Sequence, residues 1–62
     1  MANTDAERLS KMRHDLANPL AALLAETQLL LMDSEKIPAE VVQALREIET
    51  LAIRMRTLIR DG

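Results

Sequence analysis

The chain carries one histidine, His14, and the residues around it have the side chains of a small reactive centre. An imidazole can serve as nucleophile, proton carrier or metal ligand near neutral pH. Asp15 follows it directly and Asn18 comes four residues after it, one turn on along the same helix face. Pro19 stands beside Asn18, inside a run that otherwise reads as helix. A proline there removes the donor for the Asp15 carbonyl and crowds it, at a local cost of about 3 kcal/mol. The turn from Asp15 to Pro19 is therefore expected to kink or loosen. Cysteine is absent, so no disulfide is available, and one histidine without cysteine speaks against a structural zinc site. No metal site is expected.

These residues need a scaffold, and the composition narrows the choice. Leu, Ala, Met, Glu and Arg are abundant, aromatic residues are absent, and the single glycine is terminal, so the class is all-α. With 62 residues there is one domain, 1–62. Thr4-Asp5-Ala6-Glu7 has the form of a capping box, so helix one is expected over about 5–32. At about 1.5 Å per residue it would be roughly 42 Å long. Asp33-Ser34-Glu35-Lys36 is a polar break before Ile37-Pro38, giving a loop at about 33–37. Pro38 suits a first helical position, so helix two is expected over about 38–60, with Asp61-Gly62 as its end. Its apolar residues Val41, Leu45, Ile48, Ala52, Met55 and Ile59 follow a heptad pattern. Two helices joined by so short a loop form an antiparallel hairpin.

A hairpin of this size buries little surface alone. Each helix also has an apolar arc too wide for one partner, with Leu24 and Leu31 flanking the stripe on helix one and Ala44, Leu51 and Leu58 on helix two. The expected assembly is a homodimeric four-helix bundle. With Leu9, Leu16, Leu20 and Thr27 turned inward, His14 points outward, above a stripe of Asn18, Ala21, Ala25 and Gln28. Asp15 lies on the outer half too. Geometry alone leaves two accounts of His14 open, a reactive group or an ordinary surface histidine.

The net charge of −2, with both signs interspersed, argues against nucleic-acid binding. The longest apolar run, Leu29 to Met32, is far too short to span a bilayer, and the N-terminal segment is too polar for a signal peptide. No direct membrane contact is expected, and the location expected is cytoplasmic, including as the cytoplasmic part of a membrane sensor.

His14-Asp15-Leu16-Ala17-Asn18-Pro19-Leu20 resembles the H-box of sensor histidine kinases, whose pattern is His, Glu or Asp, two residues, Thr or Asn, Pro, Leu. The helix, loop and heptad helix also resemble that family's dimerisation and histidine phosphotransfer domain. The resemblance implies that His14 is the phosphoacceptor, taking phosphate from ATP and passing it to an aspartate of a response regulator. It implies that Asp15 hydrogen-bonds the other ring nitrogen as acid/base partner, and that Asn18 positions water in phosphatase chemistry. Pro19 then lets the helix bend between functional states. Asp15 and Asn18 stand where Glu and Thr are more frequent. Arg13 replaces a small residue; it has the chemistry to bind phosphate, though a place along the bundle surface is the plainer account.

No glycine-rich phosphate loop is present. ATP and Mg are expected in a separate ATP-binding domain, with no cofactor bound by this chain. The partners implied are a second copy, the response regulator receiver domain, and the ATP-binding domain of the same kinase. The abrupt end after helix two is that expected of a domain from a longer kinase, and a stand-alone phosphotransfer protein also fits. For receiver contact, the exposed stripe and Arg54, Thr57 and Leu58 on helix two are the candidates. Two other accounts compete: a non-catalytic helical dimerisation scaffold, and a helix-in-groove module using Leu29 and Ile53.

Overall fold

Strong helix formers fill both halves of the chain, and both halves fold as helices. The computed structural model describes residues 4–61. Helix α1 spans Thr4–Met32, a single 3-10 turn covers Ser34–Lys36, and helix α2 spans Ala39–Asp61. No strand occurs among the described residues. The two helices pack side by side as an all-α antiparallel hairpin, a rod of 54 × 15 × 12 Å. Its radius of gyration is 15.5 Å. A compact chain of this length would have about 11 Å.

Thr4 is itself the first residue of α1, and Asp5 and Glu7 lie in the first turn, where carboxylates favour the positive end of the helix dipole. At the other end, the Asp33 N–H donates to the Leu30 carbonyl at 3.3 Å and the Lys36 N–H to Asp33 at 2.9 Å. Ile37 is extended, with φ −114° and ψ 140°, the region that a following proline imposes. The Pro38 carbonyl accepts from Val41 and Val42, both at 3.0 Å. Pro38 therefore stands just outside α2 rather than at its first helical position, and its carbonyl starts the helical ladder. Of the expected stop at Asp61-Gly62, Gly62 lies outside the described residues.

The seam between the helices is narrow. Leu20, Leu24 and Ala52 are buried, with Ile59 packed against them. Thr27 is buried too, and its hydroxyl donates to the Leu23 carbonyl at 2.8 Å, so no polar group is stranded there. Ala17, Leu31, Leu45 and Glu49 border the seam half-buried.

Leu9, Leu16, Val41, Ile48 and Met55, expected to turn inward in a four-helix bundle, are exposed in the single hairpin. Leu24, expected as a flank, is in the core. On α1 the seam runs Ala17, Leu20, Leu24, Thr27, Leu31, in steps of three and four. The leucines beside it form a second stripe on the same helix. The leucine pattern is the sum of two faces, only one of which meets α2.

That second face is large. Met12, Leu16, Leu23 and Leu30 on α1 and Ile48, Leu51, Met55 and Leu58 on α2 are all exposed. Leu16, Leu20, Met55, Leu58 and Ile59 line one groove, which places the two stripes on one side of the hairpin. Water contact over such an apolar area is unfavourable, at about 25 cal/mol per Å² of apolar surface left uncovered. This is the side that a second hairpin would cover in the expected four-helix bundle.

Candidate functional site

The site follows from the helical phase of α1. At about 3.6 residues per turn, the two-residue step from Leu16 to His14 turns roughly 160° around the helix. His14 therefore points away from the apolar side and is exposed. Asn18 and Pro19, one turn further, are also exposed. α1 continues through Pro19 without interruption in its helical course, from Thr4 to Met32. Pro19 has no N–H, so the Asp15 carbonyl lacks the donor that other residues of the helix supply.

A groove of about 460 Å³ runs beside His14 between the two helices, bordered by Ser10, Arg13, Ala17, Arg56, Ile59 and Arg60. Antiparallel pairing brings the C-terminal half of α2 to His14, as the short loop requires. The α2 residues that share this groove with His14 are Arg56, Ile59 and Arg60. Leu58 lines the apolar groove on the other side, and Arg54 and Thr57 line neither groove. The distance along α2 was legible in the sequence, whereas the phase depended on knowing which stripe faces α1. With Ala52 and Ile59 in the seam, Arg56 and Arg60 follow on its flank.

Asp15 is exposed, and its carboxylate accepts from Lys11 Nζ at 3.1 Å. The structure thus pairs Asp15 with Lys11 one turn earlier. Lys and Asp at i, i+4 were a readable signal for this pair. The stripe expected below His14 is exposed throughout, at Asn18, Ala21, Ala25 and Gln28. At its far end the Gln28 amide also donates to the Glu49 carboxylate at 3.2 Å. Leu29 and Ile53 are exposed singly, which is normal for a protein surface.

Charge is unevenly placed along the rod. Six of the eight basic residues lie in the half containing His14, against four of the ten acidic ones. The His14 end is thus net basic and the loop end net acidic, although the whole chain is negative. Among the described residues, no group of three or more His, Asp or Glu side chains could hold a metal ion. None of the described helices is long and apolar enough to cross a membrane.

Compared with known proteins, the chain matches the family model of the His Kinase A (phospho-acceptor) domain over residues 5–61. No curated protein and no solved structure matches it.

Proposed function

Because the chain belongs to the His Kinase A (phospho-acceptor) domain family, we propose that His14 is its phosphoacceptor and that residues 1–62 act as the dimerisation and phosphotransfer domain of a two-component sensor kinase. One observation carries this: in a family defined by a phosphorylated histidine, this chain has a single histidine, and it is exposed. Members of the family typically homodimerise, and the apolar side of the hairpin is the surface a second copy would cover.

The chemistry divides as follows. A lone pair of one His14 ring nitrogen attacks the γ-phosphorus of ATP. The bond from that phosphorus to the bridging oxygen breaks, and ADP leaves with its electron pair. The Asp15 carboxylate would accept the proton of the other ring nitrogen in a hydrogen bond, which makes the attacking nitrogen more nucleophilic. Since Asp15 is exposed and its contact with Lys11 is a surface pair worth at most about 1 kcal/mol, it is free to turn to the ring. The phosphoramidate then gives its phosphoryl group to a carboxylate oxygen of a response regulator, as the N–P bond breaks and an O–P bond forms. Asn18 lies one turn from His14, within reach of a water beside a docked regulator. Pro19 lets the turn carrying these groups bend.

In this reading ATP and Mg are supplied by a separate ATP-binding domain, and the chain is one part of a phosphotransferase. A cytoplasmic place for the domain goes with that supply of ATP.

The test is phosphorylation of the chain by a small phosphoramidate donor, read by intact mass. One phosphate is expected, labile in acid and stable in alkali, and His14→Ala should abolish it. Transfer from the labelled chain to a receiver domain completes the case. An intact dimer that takes no phosphate would instead mark a dimerisation scaffold.

A further inference from the structure

The groove beside His14 brings three arginines from two helices to one place, Arg13 from α1 and Arg56 and Arg60 from α2. Their grouping is unfavourable as it stands. Arg56 and Arg60 are like charges at i, i+4, which repel on a helix surface. Neither Arg13 nor Arg56 has an ion-pair partner among the described residues, and Arg60 meets only its neighbour Asp61, at 3.5 Å. The nearest other carboxylate in sequence, Asp15, contacts Lys11 at 3.1 Å and none of the three arginines. The apolar part of the groove is Ala17 and Ile59, both half-buried, so the charged ends of the arginines are its main polar groups beside Ser10 and His14. Guanidinium groups suit a tetrahedral phosphoryl group because they donate in a planar fork to two oxygens at once. The groove also lies away from the apolar side, so a second copy leaves it open.

We propose that Arg13, Arg56 and Arg60 form an anion cradle that holds the phosphoryl group as it transfers to His14. This rests on His14 being the phosphoacceptor. Arg56 and Arg60 place α2 in the reaction, so the C-terminal half of α2 does more than dimerise. In the simplest transfer, from phosphoramidate, the donor's N–P bond breaks with its electron pair going to the leaving nitrogen. That nitrogen, protonated in the donor at neutral pH, departs as ammonia, while a lone pair of the His14 ring makes the new N–P bond. The arginines take no part in bond making; they offset the negative charge of the phosphoryl oxygens.

The experiment compares labelling rates by phosphoramidate for the native chain, a triple variant (Arg13→Gln, Arg56→Gln, Arg60→Gln) and Arg46→Gln, which lies at the loop end. Charge-assisted contacts of this kind predict roughly tenfold slower labelling in the triple variant, and a native rate for Arg46→Gln. The native rate should also fall with added salt, whereas that of the triple variant should barely change, a response that a structural role would not produce. Circular dichroism checks that helicity is kept. If the triple variant loses it, Arg56→Gln alone carries the comparison, at roughly threefold slower labelling. A native chain that labels, beside a helical variant that labels equally fast, overturns the cradle and leaves the phosphoacceptor standing. A native chain that takes no phosphate overturns both.

Discussion

Ile59 lines two grooves of opposite character, one on each side of the seam between the helices. On one side it meets Leu16, Leu20, Met55 and Leu58; on the other it meets His14 and three arginines. The difference comes from the width of the seam. Among the described residues only Leu20, Leu24, Thr27 and Ala52 are buried, so each helix keeps most of its circumference for other uses. One side is apolar and calls for a second hairpin. The opposite side carries His14, where the proposed phosphotransfer would take place. A helix about 10–12 Å across is enough to keep the two sides apart.

The largest effect that could break this contrast is on assembly. Leu23→Glu puts a carboxylate in the middle of the apolar side, where a dimer would bury it without a partner. Leaving an unpaired charge buried costs several kcal/mol, more than most single contacts. The dimer should dissociate, read by sedimentation at concentrations where the native chain is dimeric. A dimer that survives Leu23→Glu would place the interface elsewhere and remove the reason for the two-sided arrangement.

Next in size is the seam itself. Leu24 is 5 % exposed and Leu29 is 59 % exposed, on the same helix and of the same residue type. Leu24→Ala should destabilise by about 2–5 kcal/mol, because it removes buried methyl groups and leaves a cavity. Leu29→Ala should stay within about 0.5 kcal/mol. Thermal melting of the two variants side by side would show whether the seam runs through Leu24. Equal losses would mean that Leu29 is covered in the assembly.

Much of this was legible from the residues. The propensities gave two helices, the polar run from Asp33 to Lys36 gave the break, and Ile37-Pro38 gave the extended entry to α2. The periodicity placed His14 outward. The sorting of the leucines was not legible. Leu16, Leu20, Leu23 and Leu24 all fall within one broad arc, and hydrophobicity cannot tell a face that meets α2 from one that meets another copy. The same ambiguity hid Arg56 and Arg60, since charged residues on a helix ordinarily read as a solvated face. Only the observed phase, with Ala52 and Ile59 inward, brings them to His14. The Asp15–Lys11 pair was visible as a spacing, but the H-box pattern drew attention to His14 instead.

Pro19 offers a smaller effect of the opposite sign. Pro19→Ala restores a donor for the Asp15 carbonyl and relieves the ring's crowding of it. Stability should rise by up to about 3 kcal/mol, measured by chemical denaturation. A rise in stability would fit the proposed role of Pro19 as a bend in the turn that carries His14 rather than a place in the seam. If Pro19→Ala is destabilising instead, the ring is packed against something in the assembly, and the turn is structural.

The smallest effect separates charge on the groove side from charge beside it. Lys11 and Asp15 are 79 % and 57 % exposed, and an exposed pair at i, i+4 contributes about 0.3–0.5 kcal/mol. Lys11→Ala should therefore move the melting temperature only slightly. Its effect on labelling is more telling. Lys11 is a cation one turn before Asp15, but it does not line the groove of Arg13, Arg56 and Arg60. If nearby positive charge of any kind drew in the phosphoryl donor, Lys11→Ala would slow labelling as Arg56→Gln does. If position decides, Lys11→Ala should label at least as fast as the native chain, because it also frees the Asp15 carboxylate to turn to the imidazole. Running the two variants in the same series of salt concentrations makes the distinction, since a general field effect would flatten both salt dependences and a cradle would flatten only that of Arg56→Gln.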